Sequence, residues 1–337
     1  MNSIRALRAA AVVIGIAGVT LTAAAQAPWK PTKPINIIVP WAAGGATDQM
    51  IRVTASDLEA ALGQKIIVLN QPGASGSIGT KNALEAAKDG YTWTSGAPKD
   101  LGSYKILGMV DTTVQDWHLY LHLALPTIVS VPAASPHKDM KGLLEAMKAK
   151  PGLVSVATAG VNSSGHTAIE QIAAATGIKY KHVTYDGGNP AVIATVAGET
   201  DVTTQLSSEQ SEMIRGKRLR PLAVVGDKAI EIEGHGTIPP LSDFVPGFKV
   251  PVNYFGIFVP KGVPPEVTAT LDAIWVDKIA KSEVIKKYAT SRGALMVVTA
   301  GAEAQKIAMP AIADAAWQKF NAGQAKISPD TVGIPKP

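Results

Sequence analysis

Short β-branched runs alternate with amphipathic helical stretches along this 337-residue chain, and twice the strand-to-helix connection is rich in glycine. Ile35-Asn-Ile-Ile-Val39 reads as a buried strand, followed by the loop 40–48 and a helical pattern over 47–62 that Gly63 should stop. Lys65-Ile-Ile-Val-Leu69 is a second strand, 70–79 is turn-rich, 80–87 reads as a helix and 91–94 as a third strand. This β-α-β-α-β order predicts a parallel, doubly wound α/β sheet. The pattern then restarts. Strands are expected at 127–131, 154–157, 181–184, 201–206 and 220–225, with helices at 136–150, 166–175 and up to Ala197. A strand at 253–259 and helices at 265–281, 282–292 and 302–321 around a strand at 295–298 follow, and 327–337 should lie irregularly on the surface. The two strand–glycine-loop–helix units share format rather than sequence, which predicts two similar lobes.

Both loops have the makings of an anion site. The first turn of a helix carries unpaired N–H groups and the positive end of the dipole, so a carboxylate can bind there without a charged side chain. In the loop 40–48, Gly44-Gly45 lets the backbone turn and Thr47 or Asp48 is expected near the cap; the plainer reading is a tight connection. The loop lacks G-x-G-x-x-G and the Gly-Lys-Ser/Thr of a P-loop, so nucleotide binding is not indicated. The second loop, Thr158-Ala159-Gly160-Val161-Asn162-Ser163-Ser164-Gly165, adds hydroxyl and amide groups, although capping is the commoner role of a serine here. Two loops at strand carboxyl ends suit a ligand held in a cleft between lobes. Trp41, at the mouth of the first loop, would form an apolar wall or pack in the core.

The N-terminus concerns the compartment. Arg5 and Arg8 precede an uncharged, mostly apolar run at 9–21 and small residues at 22–27, the layout of a secretory signal peptide with cleavage expected after Ala25. The run is short of the roughly 20 residues that span a bilayer, and no later run reaches that length, so a soluble mature chain is expected. Losing Arg5 and Arg8 takes the net charge from +5 to +3. There is no cysteine, hence neither a disulfide nor thiolate chemistry. The one basic run, Arg215-Gly-Lys217-Arg218-Leu-Arg220, reads as a surface turn before a strand, and aromatics are only 5% of residues, so no nucleic-acid partner is expected.

Two chemical alternatives to binding have some support in the residues. Ser163 or Ser164 with His166 could serve an exported hydrolase, but no G-x-S-x-G elbow is present and no acid is seen to orient the histidine. His118 and His122 could pair on a metal if helical, but the same stretch alternates like a strand and lacks a carboxylate pair, so neither a metal nor a cofactor is expected.

The motifs together resemble one family. Lys33-Pro-Ile-Asn-Ile-Ile-Val-Pro-Trp-Ala-Ala-Gly-Gly-Ala-Thr-Asp48 and Leu62-Gly-Gln-Lys-Ile-Ile-Val-Leu-Asn-Gln-Pro-Gly-Ala-Ser-Gly-Ser-Ile-Gly79 resemble the tripartite tricarboxylate transporter substrate-binding proteins, the Bug-type periplasmic receptors. Asp89-Gly-Tyr-Thr92, Ala157–His166, Tyr185-Asp-Gly-Gly-Asn-Pro190, Gly198–Val202, Leu219–Val224 and Phe255–Pro260 fit its order and spacing. The resemblance implies a type II-like two-lobed periplasmic binding protein, each lobe a doubly wound mixed sheet flanked by helices. The chain would cross between lobes twice and close over a small di-, tri- or aromatic carboxylate for membrane transporter subunits. On that basis the segments are 1–25 signal peptide, 26–128 lobe 1, 129–252 lobe 2 and 253–337 the return to lobe 1, in a monomer. A role as ligand receptor for a sensor system stays open.

Carried onto this sequence, the resemblance implies ligand contacts at Trp41, Ala42, Ala43, Gly44, Gly45, Thr47, Ser95, Thr158, Ala159, Gly160, Asn162, Ser163, Ser164, His166, Tyr185 and Gln205. Trp41 replaces the usual Phe, Asn162 a usual Gly, and Gln205 an acid that some members use for an amino group, which disfavours an amino-acid ligand. The segment 96–122 departs from common members and is expected to reshape the distal pocket. No arginine lies in either loop, so no charged side-chain partner for the ligand is evident.

Overall fold

The computed structural model describes residues 28–337; the expected signal peptide and its expected cleavage point lie outside the described residues. The first part of the chain runs β1 (Ile35–Val39), α1 (Ala46–Leu62), β2 (Ile66–Asn70), α2 (Ser77–Glu85), β3 (Thr92–Gly96), α3 (Pro98–Tyr104) and β4 (Trp117–Ala124). A middle part follows with β5 (Thr127–Pro132), α4 (Met140–Ala149), β6 (Ser155–Thr158), α5 (Ser164–Thr176), β7 (Lys181–Thr184) and α6 (Gly188–Val196). It continues through β8 (Val202–Leu206), α7 (Ser207–Arg215), β9 (Leu219–Val224) and a small hairpin, β10 (Ile230–Ile232) with β11 (Gly236–Ile238). The return part holds β12 (Tyr254–Pro260), α8 (Pro265–Asp277), α9 (Glu283–Ser291), β13 (Leu295–Ala300) and α10 (Gly301–Asn321).

Two mixed sheets organise these elements into two lobes. The first has the order β13-β4-β12-β3-β1-β2 and the second β7-β6-β8-β5-β9. β1 is parallel to β2 and β3, and β6 to β7 and β8, while β12, β4 and β13, like β5 and β9, are antiparallel to their neighbours. Helices cover both faces of the first sheet, so β1 can be apolar on both sides. Ile35, Ile37 and Val39 pack with Met50, Leu58 and Trp275, whereas Ile38 points to the opposite cluster with Leu101, Trp117 and Ile312. Each such fully buried aliphatic side chain is worth about 1.5–3 kcal/mol. Val129, Leu143, Val156 and Ile169 build the main core of the second lobe.

The chain passes between lobes at Leu125-Pro126 and again just before β12. These crossings touch: Leu125 N–H donates to Asn253 O at 3.0 Å. β5 begins at Thr127, which pairs with Leu206, so the second sheet starts two residues before the boundary placed after 128.

Local chemistry moved several boundaries. The N-cap of α1 is Gly45 rather than Thr47 or Asp48, with no side-chain cap, while Gly63 at φ +68° ends the helix as expected. α2 starts three residues before Thr80, because left-handed Gly76 turns the chain there and Thr80 Oγ1 donates back to Gly76 O at 2.9 Å. His118 and His122 lie on a strand, β4. His122 bonds Thr54 Oγ1 at 3.0 Å, and burial pushes its pKa down to about 4. The C-terminal tail is only partly superficial, since Ile334 is buried in the cluster of Leu101 and Ile312.

Candidate functional site

Each glycine loop packs against the opposite lobe, the first near Asp186 and Asn189 and the second near Ser75. In the first, Gly44 has φ +78° and its N–H donates to Asp48 Oδ2 at 2.9 Å. Burial raises the Asp48 pKa, but the hydrogen bonds from Arg52 and Gly44 outweigh it, leaving this carboxyl below its ordinary value. Ala42 N–H reaches across to Asp186 O at 3.3 Å, Ala43 is exposed, and Thr47 is buried in the first turn of α1. Trp41 is half-buried; its ring lies over Gly76, where a Cβ would come within 3.1 Å of it, so this approach requires glycine. Ser95 is buried beneath the loop and donates to Ile38 O at 3.4 Å.

The second loop is held by its own side chains and by the opposite lobe. Ser163 Oγ caps α5 by accepting from His166 N–H at 3.2 Å, and Ser164 Oγ accepts from Asn253 Nδ2 at 2.9 Å. The buried Asn162 donates to Asp100 O at 3.4 Å, and its Oδ1 has no partner among the described residues. Thr158 Oγ1 bonds His182 Nε2 at 2.6 Å, and Tyr185 N–H donates to Thr158 O at 2.9 Å. Gly160 packs on the first lobe, where a Cβ would stand 2.5 Å from Ser75 Oγ.

His166 does not engage either serine through its ring. Nδ1 bonds Val161 O at 2.9 Å, and the ring stacks on His182 at 4.3 Å. Burial, then the His182 ring and Lys319, push its pKa down to about 3. Ser163 and Ser164 thus serve a helix cap and a crossover contact, rather than pairing with a base.

Glu209, on the first turn of α7, joins the two loops. Its Oε1 accepts from Ala46 N–H at 3.0 Å, in the first turn of α1 on the other lobe, and its Oε2 accepts from Leu206 N–H at 3.2 Å. With its amide turned to satisfy both neighbours, Gln205 donates to Glu209 Oε2 at 3.1 Å and accepts from Ala159 N–H at 2.9 Å. One N–H from each anion loop is therefore met by a side chain of β8 or α7. Gly188 backs this junction, because a Cβ there would overlap the Glu209 carboxylate. Burial raises the Glu209 pKa to about 7, against the two backbone bonds that lower it.

Two lysines from the first lobe pin the second loop. Lys99, on α3, is buried, pairs with Asp100 at 2.7 Å and donates to Asn162 O at 3.0 Å. Lys319, on α10, donates to Val161 O at 2.8 Å. Burial, helped by Lys99, lowers the Lys319 pKa to about 7, and burial raises that of Asp100 despite Lys99. Reading the loops alone missed both cations. The available signal was the unusual segment 96–122, which contains Lys99.

Beside this junction lies an interlobe cavity of about 930 Å³, bounded by both crossovers, α5, α10 and the segment after β9. Among the residues singled out from sequence as ligand contacts, Ser164 alone lines it, together with Lys99, Asn253, Gln171 and Asp314; the others are outside its lining.

Two mixed α/β lobes, joined by paired crossovers and enclosing a cavity beside glycine loops, define a solute-binding receptor. Residues 50–312 match the model of the tripartite tricarboxylate transporter family receptor, and the chain belongs to that family. A protein encoded in the tcbD-tcbE intergenic region of Pseudomonas sp. (strain P51) is 32% identical over 265 residues, 76% of each sequence. A solved periplasmic transporter superposes with a TM-score of 0.77 at 27% identity, over 89% of this chain and 99% of its own. An R. palustris protein solved with adipate shares the fold, with a TM-score of 0.75 at 24% identity over 88% and 99% of the two chains.

Proposed function

We propose that this chain is an exported receptor that captures a small organic carboxylate between its lobes and presents it to the membrane subunits of a tripartite transporter. The observation that carries the reading is the interlobe cavity of about 930 Å³, whose lining includes Lys99 and, from the second glycine loop, Ser164. A concave, largely apolar space with a few convergent polar groups is the usual form of a small-molecule site. Family membership supports the receptor role, and the adipate-bound structural relative supports the ligand class. In this reading 26–128 with 253–337 and 129–252 move as lobes about the crossovers. The residues from Trp41 to Gly45, with Thr47, Ser95, Tyr185, Gln205, the loop from Thr158 to Ser163 and His166, shape the surroundings of the site, and Ser164 meets the ligand.

Calorimetric titration of the mature protein with a panel of organic acids tests the proposal. Saturable binding of at least one acid is expected; silence toward all acids alongside binding of a sugar or a divalent metal would sink it. N-terminal sequencing of the periplasmic form should begin at Gln26, and gel filtration should give a monomer.

A further inference from the structure

The structure points to a narrower ligand class, an inference that rests on the receptor reading above. We infer that the ligand is an acid with one carboxylate and an apolar body, its carboxylate meeting Lys99 and Ser164 in the interlobe cavity and its body lying against the apolar walls.

Three features converge on it. First, the α1 terminus, the obvious place for a ligand carboxylate, is served from within the chain. Glu209 is 9% exposed, and its two oxygens accept from Ala46 N–H at 3.0 Å and Leu206 N–H at 3.2 Å. The Ala46 N–H is therefore not free for a ligand oxygen, which leaves the cavity beside the junction as the place for the acid group.

Second, Lys99 is the buried cation lining the cavity. An ammonium has three N–H donors; Asp100 and Asn162 O take two, at 2.7 and 3.0 Å, which leaves one for a ligand oxygen. Ser164 Oγ accepts from Asn253, so its own proton remains available to a second oxygen.

Third, the remaining walls suit an uncharged body. Leu125, Pro126, Val225, Val250 and Ala294 line the cavity, while Asp227, Glu231 and Glu233 stand exposed around it beside Lys228, and the half-buried Asp314 also lines it. A polyanion would have to pass or lie against those carboxylates. An alkyl or aromatic body would lose water against apolar side chains instead.

The test is calorimetric titration of the mature wild-type protein with hexanoate, benzoate, adipate and citrate. Hexanoate or benzoate should bind, with adipate and citrate weaker by at least about tenfold, as expected when a charge is buried without a partner. The double variant Lys99→Met/Asp100→Asn removes the ion pair together, and should weaken the monocarboxylate by at least about thirtyfold while circular dichroism stays unchanged. Tighter wild-type binding of adipate or citrate than of the monocarboxylates overturns the inference but leaves the receptor reading intact. So does unaltered hexanoate binding in the folded double variant; if that variant does not fold, the wild-type order of affinities decides. Failure of every acid to bind removes the receptor reading itself.

Discussion

Glu209→Gln should change the pH dependence of folding in a defined window. The carboxyl is buried between the lobes, and its pKa rises from 4.5 to about 7. Between those values the native protein still holds a proton that the unfolded chain has lost. The stabilising contribution is therefore complete below pH 4.5 and is lost as pH rises through 7. At about 1.4 kcal/mol per pH unit, that window is worth about 3 kcal/mol. Glutamine keeps the size of the side chain and an oxygen for Ala46 N–H but does not titrate. His122 and His166, whose lowered pKa values act in the opposite direction, are present in both proteins and cancel in the difference. Guanidinium unfolding followed by tryptophan fluorescence from pH 4.5 to 8 gives the two stability curves. Wild type should lose about 3 kcal/mol relative to the variant across the range. Curves that stay parallel would show that Glu209 is not desolvated in solution and would refute the closed junction described above.

Three further variants have defined outcomes. Gly188→Ala forces a Cβ onto the Glu209 carboxylate, and should cost about 1–3 kcal/mol of stability in thermal or denaturant unfolding. Lys319, lowered to about 7 from 10.5, should give a lysine side-chain NMR signal titrating near neutrality that is missing in Lys319→Met. Because the unfolded lysine keeps its proton up to 10.5, wild-type stability should rise with pH above 7 relative to that variant. Ser163→Ala, which removes the α5 cap, should cost about 1 kcal/mol of stability in denaturant unfolding.

Much of the architecture was legible locally. A strand such as Ile35–Val39 announces itself by β-branched residues, and Gly63 and Gly177 mark helix ends because they can take positive φ, +68° and +72° here. The starts of α1 and α2 were less legible. At both, the cap is a glycine without a side-chain hydrogen bond, so the usual polar cap signal is missing.

The candidate site divides in the same way. Sequence by itself determined that two glycine loops would stand at strand ends before helices, because backbone conformation and helix polarity depend on neighbours along the chain. It could not determine what faces those N–H groups. At the start of α7, Glu209 looks like an ordinary acid in a first helical turn, and one of its bonds, to Leu206 N–H, is local. Its other bond, to Ala46, spans 163 residues, and the Lys319 contact with Val161 spans 158. Only the packing of one lobe against the other creates those contacts. The same packing desolvates Glu209, Lys99 and Lys319, and so turns three side chains unremarked in the sequence into the electrostatics of the site.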